Sequence, residues 1–136
     1  MSTYNAASLH GLRVLVVEDE AMVSMLLEDI LQELGCRLVG PAFNLQQALS
    51  VAASDGDIGA AILDVNLHGT PIYPVADVLA ERGVPFVFAT GYGSEGVDAK
   101  WRARPKLQKP FTSEQVASAL TEAITPDPPR PTAASL

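Results

Sequence analysis

The chain alternates short apolar runs with segments in which apolar residues recur at the spacing of a helix. Runs without a polar break predict strands that are buried on both faces, as in parallel sheets, and helical spacing predicts amphipathic helices between them. Five runs fit the strand pattern: residues 12–17, 36–39, 60–63, 84–89 and 106–108. The pattern therefore predicts βα units repeated along one domain.

Turn and capping residues bound the predicted helices. Glycines end two of them, and Asn or Thr followed three residues later by Gln begins two others; these residues are Gly35, Gly83, Asn44 with Gln47, and Thr112 with Gln115. Met22 and Met25 fall within the apolar pattern of the first helix, and we expect them to fill the core. Residues 95–104 hold few apolar positions at helical spacing, which predicts only a weak helix.

The order of these elements predicts an α/β fold. Parallel strands need long crossovers, and right-handed crossovers place helices on both faces of the sheet. We expect one domain over residues 12–124. Residues 1–11 are polar without periodicity and predict a mobile leader, whereas the proline-rich residues 125–136 predict a disordered tail.

Composition limits the classes of function. The chain has 136 residues, 48% of them hydrophobic, and a net charge of −7, which argues against a general nucleic-acid-binding surface. No apolar run approaches the length of a membrane span, and no secretory signal is visible. The single cysteine, Cys36, excludes an internal disulfide, and we expect a small buried side chain there rather than a redox group. These features predict a cytoplasmic protein that contacts neither DNA nor membrane.

Unusual polar residues follow the strands at their carboxyl ends. Asp64 ends the most apolar run, where an ionised carboxylate avoids full burial and where α/β sheets bind ligands. Glu18 and Asp19 follow the first run, Thr90 the fourth and Lys109 the fifth. Because a parallel sheet brings these ends to one edge, we expect one site there. Each residue also has a structural alternative: a turn cap, a carboxylate at a helix N-terminus, a turn hydroxyl or a surface ammonium.

The chemistry of this set indicates a phosphoryl site. Three carboxylates together favour a hard cation, and oxygen ligands suit Mg²⁺. A hydroxyl and an ammonium opposite them suit an oxyanion. We therefore interpret Asp64 as a nucleophile that forms an aspartyl phosphate.

The same residues resemble the motifs of response-regulator receiver domains. Glu18-Asp19, Ile62-Leu63-Asp64, Ala89-Thr90 and Lys109-Pro110-Phe111 match that family in order and spacing over about residues 12–124. The resemblance implies the flavodoxin-like receiver fold, a five-stranded parallel sheet of order 2-1-3-4-5 with helices on both faces.

The resemblance also implies a role for each acidic residue. Asp64 would accept phosphate from the phosphohistidine of a histidine kinase or a phosphotransfer protein. Asp64 and Asp19 would bind Mg²⁺ directly, and Glu18 would bind it through water. Asn66 would offer its backbone carbonyl to the same metal.

Two further residues would act on the phosphoryl group. The family implies that Thr90 donates its hydroxyl to a phosphoryl oxygen and that Lys109 pairs with the same group. It also implies a cis peptide bond before Pro110. These roles agree with phosphoryl transfer, in which a protein mainly positions groups and neutralises charge.

The sequence departs from most receivers at the switch. The aromatic residue expected three positions before the conserved lysine is Lys106 here, and Gly91 replaces the usual Ala after Thr90. The string Phe86 to Gly93 resembles a subset of receivers with a Phe-Ala-Thr-Gly-Tyr motif, often stand-alone and associated with HWE-type kinases. We hypothesise that Gly91, Tyr92 and Gly93 form the switch; Tyr92 as an ordinary loop aromatic is the alternative.

A group of basic residues surrounds this region: Lys100, Arg102, Arg104, Lys106 and Lys109. A solvated face is one interpretation, and a surface for an acidic partner is the other. Trp101 is either part of an interface or an anchor for the weak helix. We expect His68 to be an exposed loop residue rather than a ligand.

The predicted function is a stand-alone response regulator rather than an enzyme. It would signal by phosphorylation-dependent partner binding or drain phosphate from a kinase, as a monomer or as a phosphorylation-dependent dimer. A pseudo-receiver that binds partners without phosphorylation is the alternative. A haloacid-dehalogenase-type phosphohydrolase would need its Asp-x-Asp on the first strand, and a Rossmann domain would need a glycine-rich phosphate loop.

Overall fold

The computed structural model describes residues 9–91 and 97–125, and their secondary structure follows the predicted βα order. The main strands are β1 (Arg13–Val17), β2 (Arg37–Ala42), β3 (Ala60–Asp64), β6 (Phe86–Thr90) and β7 (Lys106–Gln108). The helices are α1 (Ala21–Glu33), α2 (Leu45–Ser54), α3 (Tyr73–Glu81) and α4 (Ser113–Ile124). A small hairpin, β4 (Asn66–Leu67) and β5 (Thr70–Pro71), lies between β3 and α3.

The main sheet has five strands in the order β2-β1-β3-β6-β7, all paired in parallel. Counting only the main strands, this is the predicted order 2-1-3-4-5. β3 is buried along its whole length between β1 and β6, as its unbroken apolar sequence predicts. The hairpin was not predicted, since the sequence indicated only a loop there.

Two apolar layers hold the helices to the two faces of the sheet. α2 and α3 pack on one face with the large side chains of Phe86, Phe88 and Trp101, and α1 and α4 pack on the other. The predicted caps are present: the side chain of Asn44 accepts a hydrogen bond from the Gln47 amide, and Thr112 and Gln115 form a capping box. Within the described residues, the helices are too short or too polar to cross a lipid bilayer.

The expectation that Met22 and Met25 fill the core was wrong. Met22 is 84% exposed and Met25 63% exposed, and Leu26 beside them is partly exposed. The buried stripe of α1 consists of Ser24, Leu27, Ile30 and Leu31. Leucines at neighbouring positions made the apolar pattern wider than the stripe that meets the sheet, so the sequence did not show which side faces solvent.

Several boundaries differ from the prediction. Leu9 is fully buried and its carbonyl accepts a hydrogen bond from the thiol of Cys36, so packed structure already begins within the predicted leader. β2 continues through Pro41 to Ala42 instead of ending before Gly40. The weak helix is reduced to a single 3₁₀ turn, Ala99–Trp101. Residues 1–8 and 126–136 lie outside the described residues, so the rest of the leader and the tail stay predictions.

Candidate functional site

The residues predicted from the strand ends meet at one edge of the sheet. Asp64 and Thr90 are the last residues of two adjacent strands, β3 and β6. With Asp19, Asn66 and Lys109 they line an open cleft of about 570 Å³. The cleft exists because parallel strands end at the same level while their helices turn away from each other.

Lys109 is the cation at the centre of this cleft. Its Nζ lies 3.0 Å from Glu18 Oε1, 3.5 Å from Asp64 Oδ2 and 3.7 Å from Glu20 Oε1. Burial alone would lower the pKa of Lys109, but the surrounding carboxylates, Glu18 foremost, outweigh burial and raise it. The lysine therefore stays charged. The Lys109–Pro110 peptide bond is cis, as the resemblance implied.

Glu18 lies beneath the cleft and is fully buried. Its Oε2 accepts a hydrogen bond of 3.1 Å from the backbone amide of Glu20. Its Oε1 has no hydrogen-bond partner within the part of the chain that the structure describes, and only the ammonium of Lys109 compensates that oxygen. A buried carboxylate oxygen with so little compensation is a place where further positive charge would be stabilising.

The carboxyl group of Asp64 is held in an unusual electrostatic state. Burial, followed by the negative charge of Glu18, raises its pKa to about 7, although Lys109 acts in the opposite direction. The backbone amide of Asn66 donates to Oδ1 at 3.3 Å. The carboxyl therefore titrates near neutral pH, and a nearby cation would shift it towards the ionised form that a nucleophile needs.

Asp19 lines the same cleft as Asp64 and is held by the hairpin. The backbone amide of His68 donates a 2.8 Å hydrogen bond to Asp19 Oδ2. Burial alone would raise the pKa of Asp19, but this hydrogen bond and those with neighbouring carboxyls outweigh burial and lower it. Asp19 is therefore ionised at neutral pH. The side chain of His68 is exposed, as expected, but the sequence did not predict the contact that its backbone amide makes with Asp19.

Three carboxylates lie close enough to share a divalent cation. One oxygen from each of Glu18, Asp19 and Glu20 lies within 4.8 Å of the others, and Asp64 lines the same cleft. Oxygen donors of this kind suit Mg²⁺. Glu18 Oε1, whose described partner is the ammonium of Lys109, and the raised pKa of Asp64 both indicate an excess of negative charge that a cation would relieve. The residues present therefore fit a Mg²⁺ ion.

The predicted switch residues are only partly within the described structure. Thr90 is buried at the end of β6, and its carbonyl accepts a 2.9 Å hydrogen bond from the amide of Lys109. Gly91 is exposed at the cleft, with open space where a side chain would begin. Tyr92 and Gly93 lie outside the described residues.

Lys106, at the position where receivers usually carry an aromatic residue, bonds away from the cleft. Its Nζ donates hydrogen bonds to the carbonyls of Arg102 and Arg104. Lys106 thus caps the turn that follows the 3₁₀ helix. A direct inward swing towards Thr90 would break both bonds.

Most side chains of the predicted basic surface contact other residues of the same chain. Lys100 pairs with Asp77 at 3.2 Å, and Arg102 Nε donates to the carbonyl of Val97. The guanidinium of Arg104 lies 4.3 Å from the centre of the Phe86 ring. Trp101 is 6% exposed and packs edge-on against Phe86, so it is an anchor and not part of an interface.

Sequence reasoning missed two residues at the site. Glu20 was not among the predicted site residues, yet its carboxylate lies 3.7 Å from the Lys109 ammonium and it lines the cleft. His68 could have been found from its neighbour, because His68-Gly69 between two short extended segments is a signal for a two-residue hairpin turn.

Comparison with known proteins identifies close structural relatives. The fold matches SdrG from Sphingomonas melonis Fr1 at 45% identity and a TM-score of 0.76, covering 92% of this chain and all of that one. A BeF₃-activated conformation of SdrG, recorded for Pseudomonas melonis Fr1, matches at 48% identity and a TM-score of 0.73. This match covers 85% of this chain and 98% of that one. The response-regulator receiver domain of Erythrobacter litoralis PhyR matches at 26% identity and a TM-score of 0.75, and the match covers 90% of this chain and 98% of that one.

Curated relatives are more distant and longer. The phyllosphere-induced regulator PhyR of Methylorubrum extorquens is 27% identical over 115 residues, which are 82% of this chain and 43% of that protein. The chain spans about half the length of the curated relatives it matches. No protein-family model matches the chain.

Proposed function

This chain belongs to the response-regulator receiver family, and from that premise we propose that Asp64 accepts a phosphoryl group in a Mg²⁺-dependent reaction. The observation that carries the proposal is the placement of Asp64 in the cleft. It lies 3.5 Å from the Lys109 ammonium, beside a group of carboxylates that fits a divalent cation. A nucleophile, a fixed positive charge and a metal position are what phosphoryl transfer to a carboxylate requires.

The donor in this proposal is a phosphohistidine on a histidine kinase or a phosphotransfer protein. The phosphorus–nitrogen bond of the donor breaks and a phosphorus–oxygen bond to Asp64 forms, while the imidazole leaves with the electron pair. Lys109 pairs with one phosphoryl oxygen and Thr90 donates its hydroxyl to another. Both groups neutralise charge that is spread over the equatorial oxygens in the transition state.

The metal would be held by the acidic edge of the sheet. Asp19 and Asp64 would bind it directly, Asn66 through its backbone carbonyl and Glu18 through water. Mg²⁺ supplies positive charge to the phosphoryl oxygens and favours ionised Asp64. The full burial of Glu18 and its ion pair with Lys109 support an indirect part for Glu18.

Signalling would follow from a change around Thr90 and Gly91. We propose that Thr90 moves towards the phosphoryl group and that the loop through Gly91, Tyr92 and Gly93 transmits this motion to residues 97–105. The BeF₃-activated structure of SdrG supports this proposal, since a beryllofluoride-activated form implies two conformational states in a relative. Lys106 links that segment to β7 and is the residue whose bonds such a change would alter.

The output of the protein would be binding to another protein. Phosphorylation would change its affinity for a partner or drain phosphate from a kinase, with self-phosphorylation and autodephosphorylation as its only chemistry. A stand-alone regulator fits the SdrG chain, which this chain covers completely. An HWE-type kinase is the proposed donor, the proposed compartment is the cytoplasm, and the protein would be a monomer or a phosphorylation-dependent dimer.

The test is intact mass after incubation with Mg²⁺ and acetyl phosphate. We expect one phosphoryl adduct on the wild-type protein and none on Asp64→Asn or in excess EDTA. Asp29→Asn, an exposed aspartate on α1, is the matched control and should be modified as the wild type is. If the wild type also fails with a phosphohistidine donor, the chain is a pseudo-receiver and the proposed chemistry is wrong.

A further inference from the structure

The hairpin between β3 and α3 has a strained tip that faces the acidic edge of the sheet. β4 and β5 pair antiparallel, with Leu67 opposite Thr70, and His68 and Gly69 form the two-residue loop. Both loop residues have positive φ, 51° for His68 and 85° for Gly69, as in the hairpin turns whose twist matches the strands. His68 is the only described residue other than glycine with a positive φ. Such a conformation at a functional edge indicates that the turn has a task.

The turn makes one contact with a distant part of the chain. The His68 amide donates to Asp19 Oδ2 at 2.8 Å, across 49 residues of sequence. The base of the same hairpin contacts the nucleophile, since the amide of Asn66 donates to Asp64 Oδ1. Inside the hairpin, the amide of Gly69 donates to Asn66 Oδ1 at 2.6 Å. One short hairpin therefore orients two carboxyl groups, one at the end of β3 and one in the loop that follows β1.

We propose that His68 is a positioning residue, whose backbone amide holds Asp19 Oδ2 so that Asp19 presents its other oxygen to the metal. This inference rests on the proposed function, because it concerns the Mg²⁺ site at Asp19. An unrestrained carboxylate rotates and offers either oxygen, and binding a metal must then also order it. A hydrogen bond from the backbone amide to one oxygen makes that ordering part of the folded state.

The backbone amide, and not the imidazole, is the group that acts. The imidazole Nδ1 lies 3.4 Å from the same oxygen, which already accepts the amide hydrogen at 2.8 Å, and the side chain is 70% exposed. The amide points at Asp19 because φ is positive. Gly and Asn adopt this conformation readily, whereas a β-branched residue does so at a high cost. Substitution at this position therefore removes the imidazole either with the turn preserved, as in Gly or Asn, or with the turn disturbed, as in Val.

The experiment compares four variants: His68→Gly, His68→Asn, His68→Val and Asp19→Ala. In metal-free protein, we expect the residue-68 amide to exchange at least about 10-fold faster in Asp19→Ala than in the wild type, since its acceptor is gone. By calorimetry, we expect His68→Val to bind Mg²⁺ about 10-fold more weakly, the lower end of the effect of losing such a partner. His68→Gly and His68→Asn should rescue binding to within about 2-fold of the wild type.

Each contrary outcome overturns the proposal. Unchanged amide exchange at residue 68 in Asp19→Ala would mean that the hydrogen bond between this amide and Asp19 does not form in solution. This measurement needs neither metal nor phosphorylation. Equal Mg²⁺ affinity in His68→Val and the wild type would show that the bond does not position Asp19. Equal weakening in all three His68 variants would assign the effect to the imidazole. Wild type that binds no Mg²⁺ would overturn the proposed metal site, and this inference with it, even if residue 68 is protected.

Discussion

At the scale of single residues, the main feature of the site is an excess of negative over positive charge. Three carboxyl groups, those of Glu18, Glu20 and Asp64, lie within 3.7 Å of the ammonium of Lys109. Asp19 adds a fourth carboxyl group to the same cleft. In a partly buried cleft such repulsion is weakly screened. The effect is seen at Asp64, whose pKa rises to about 7 because burial and the charge of Glu18 both disfavour its ionised form. The metal-free site thus disfavours the charged form of Asp64, the proposed nucleophile.

This imbalance predicts that stability depends on pH. The folded pKa of Asp64, about 7, lies above its ordinary value of 3.8, so between these values the folded state binds more protons than the unfolded state. The contribution of Asp64 is fully present below about pH 4 and is lost as pH rises through 7. In EDTA, Asp64→Asn should therefore be more stable than the wild type at pH 8, by at most about 4 kcal/mol, with little difference at pH 4.

Urea unfolding at the two pH values measures this difference. Groups that lie away from the cleft titrate alike in both proteins and cancel in the comparison. Asp29→Asn, on the exposed face of α1, serves as the control and should shift stability equally at both pH values. A difference between Asp64→Asn and the wild type that does not grow from pH 4 to pH 8 would contradict the raised pKa.

At the scale of elements, the segment 97–105 depends on side chains more than on regular structure. Its regular element is the 3₁₀ turn Ala99–Trp101. The segment is held by the Trp101 ring against Phe86, by the amide of Asp98 on the hydroxyl of Tyr73, and by Lys106. A segment whose regular structure is a single turn is suited to rearrangement at low cost in free energy.

Lys106→Met should loosen this segment without unfolding the domain. Methionine keeps the length of the side chain but cannot donate to the carbonyls of Arg102 and Arg104. Loss of about 1 kcal/mol per hydrogen bond predicts amide exchange in residues 97–105 that is about 5-fold faster or more. Hydrogen exchange by mass spectrometry measures it.

Lys100→Met is the matched control for that experiment. Lys100 lies in the same segment and pairs with Asp77 at the surface, where an ion pair adds little stability. In the Lys100→Met variant, the amide exchange rates of residues 97–105 should stay close to those of the wild type. Equal exchange in Lys106→Met and the wild type would show that Lys106 does not restrain the segment, and would remove it from the switch.

At the scale of the whole molecule, apolar surface is exposed beside the cleft that contains Asp64. Met22, Met25 and Leu26 lie in the first two turns of α1, which begins directly after the acidic residues that follow β1. Exposed residues at positions i, i+3 and i+4 form one side of a helix. A phosphohistidine donor must bring its imidazole to Asp64, so this side of α1 is where its protein surface would rest.

Met25→Glu should separate the two kinds of phosphodonor. A charge at the centre of the exposed apolar group would slow transfer from a phosphorylated kinase or phosphotransfer protein by about 10-fold or more. Transfer from acetyl phosphate, which needs no protein contact, should stay within about 2-fold of the wild type. Rates from radiolabelled donors measure both. Equal rates from the protein donor would place its docking surface elsewhere.

The sequence alone determined the order of the βα units, the parallel sheet and the meeting of Asp64, Asp19, Thr90 and Lys109 at one edge. These follow from local patterns, because an unbroken apolar run identifies a central strand and parallel strands end at the same edge. Helix caps at Asn44 and Thr112 were equally local.

Tertiary structure alone decided which apolar residues face solvent, what the basic side chains contact and what holds Asp19. Met22 and Met25 satisfy the helical period, and only the packing of α1 on the sheet shows that they lie on its outer side. The amide of His68 bonds to a residue 49 positions away through a backbone angle that no composition rule specifies. Such contacts depend on distances between elements, which a local pattern does not contain.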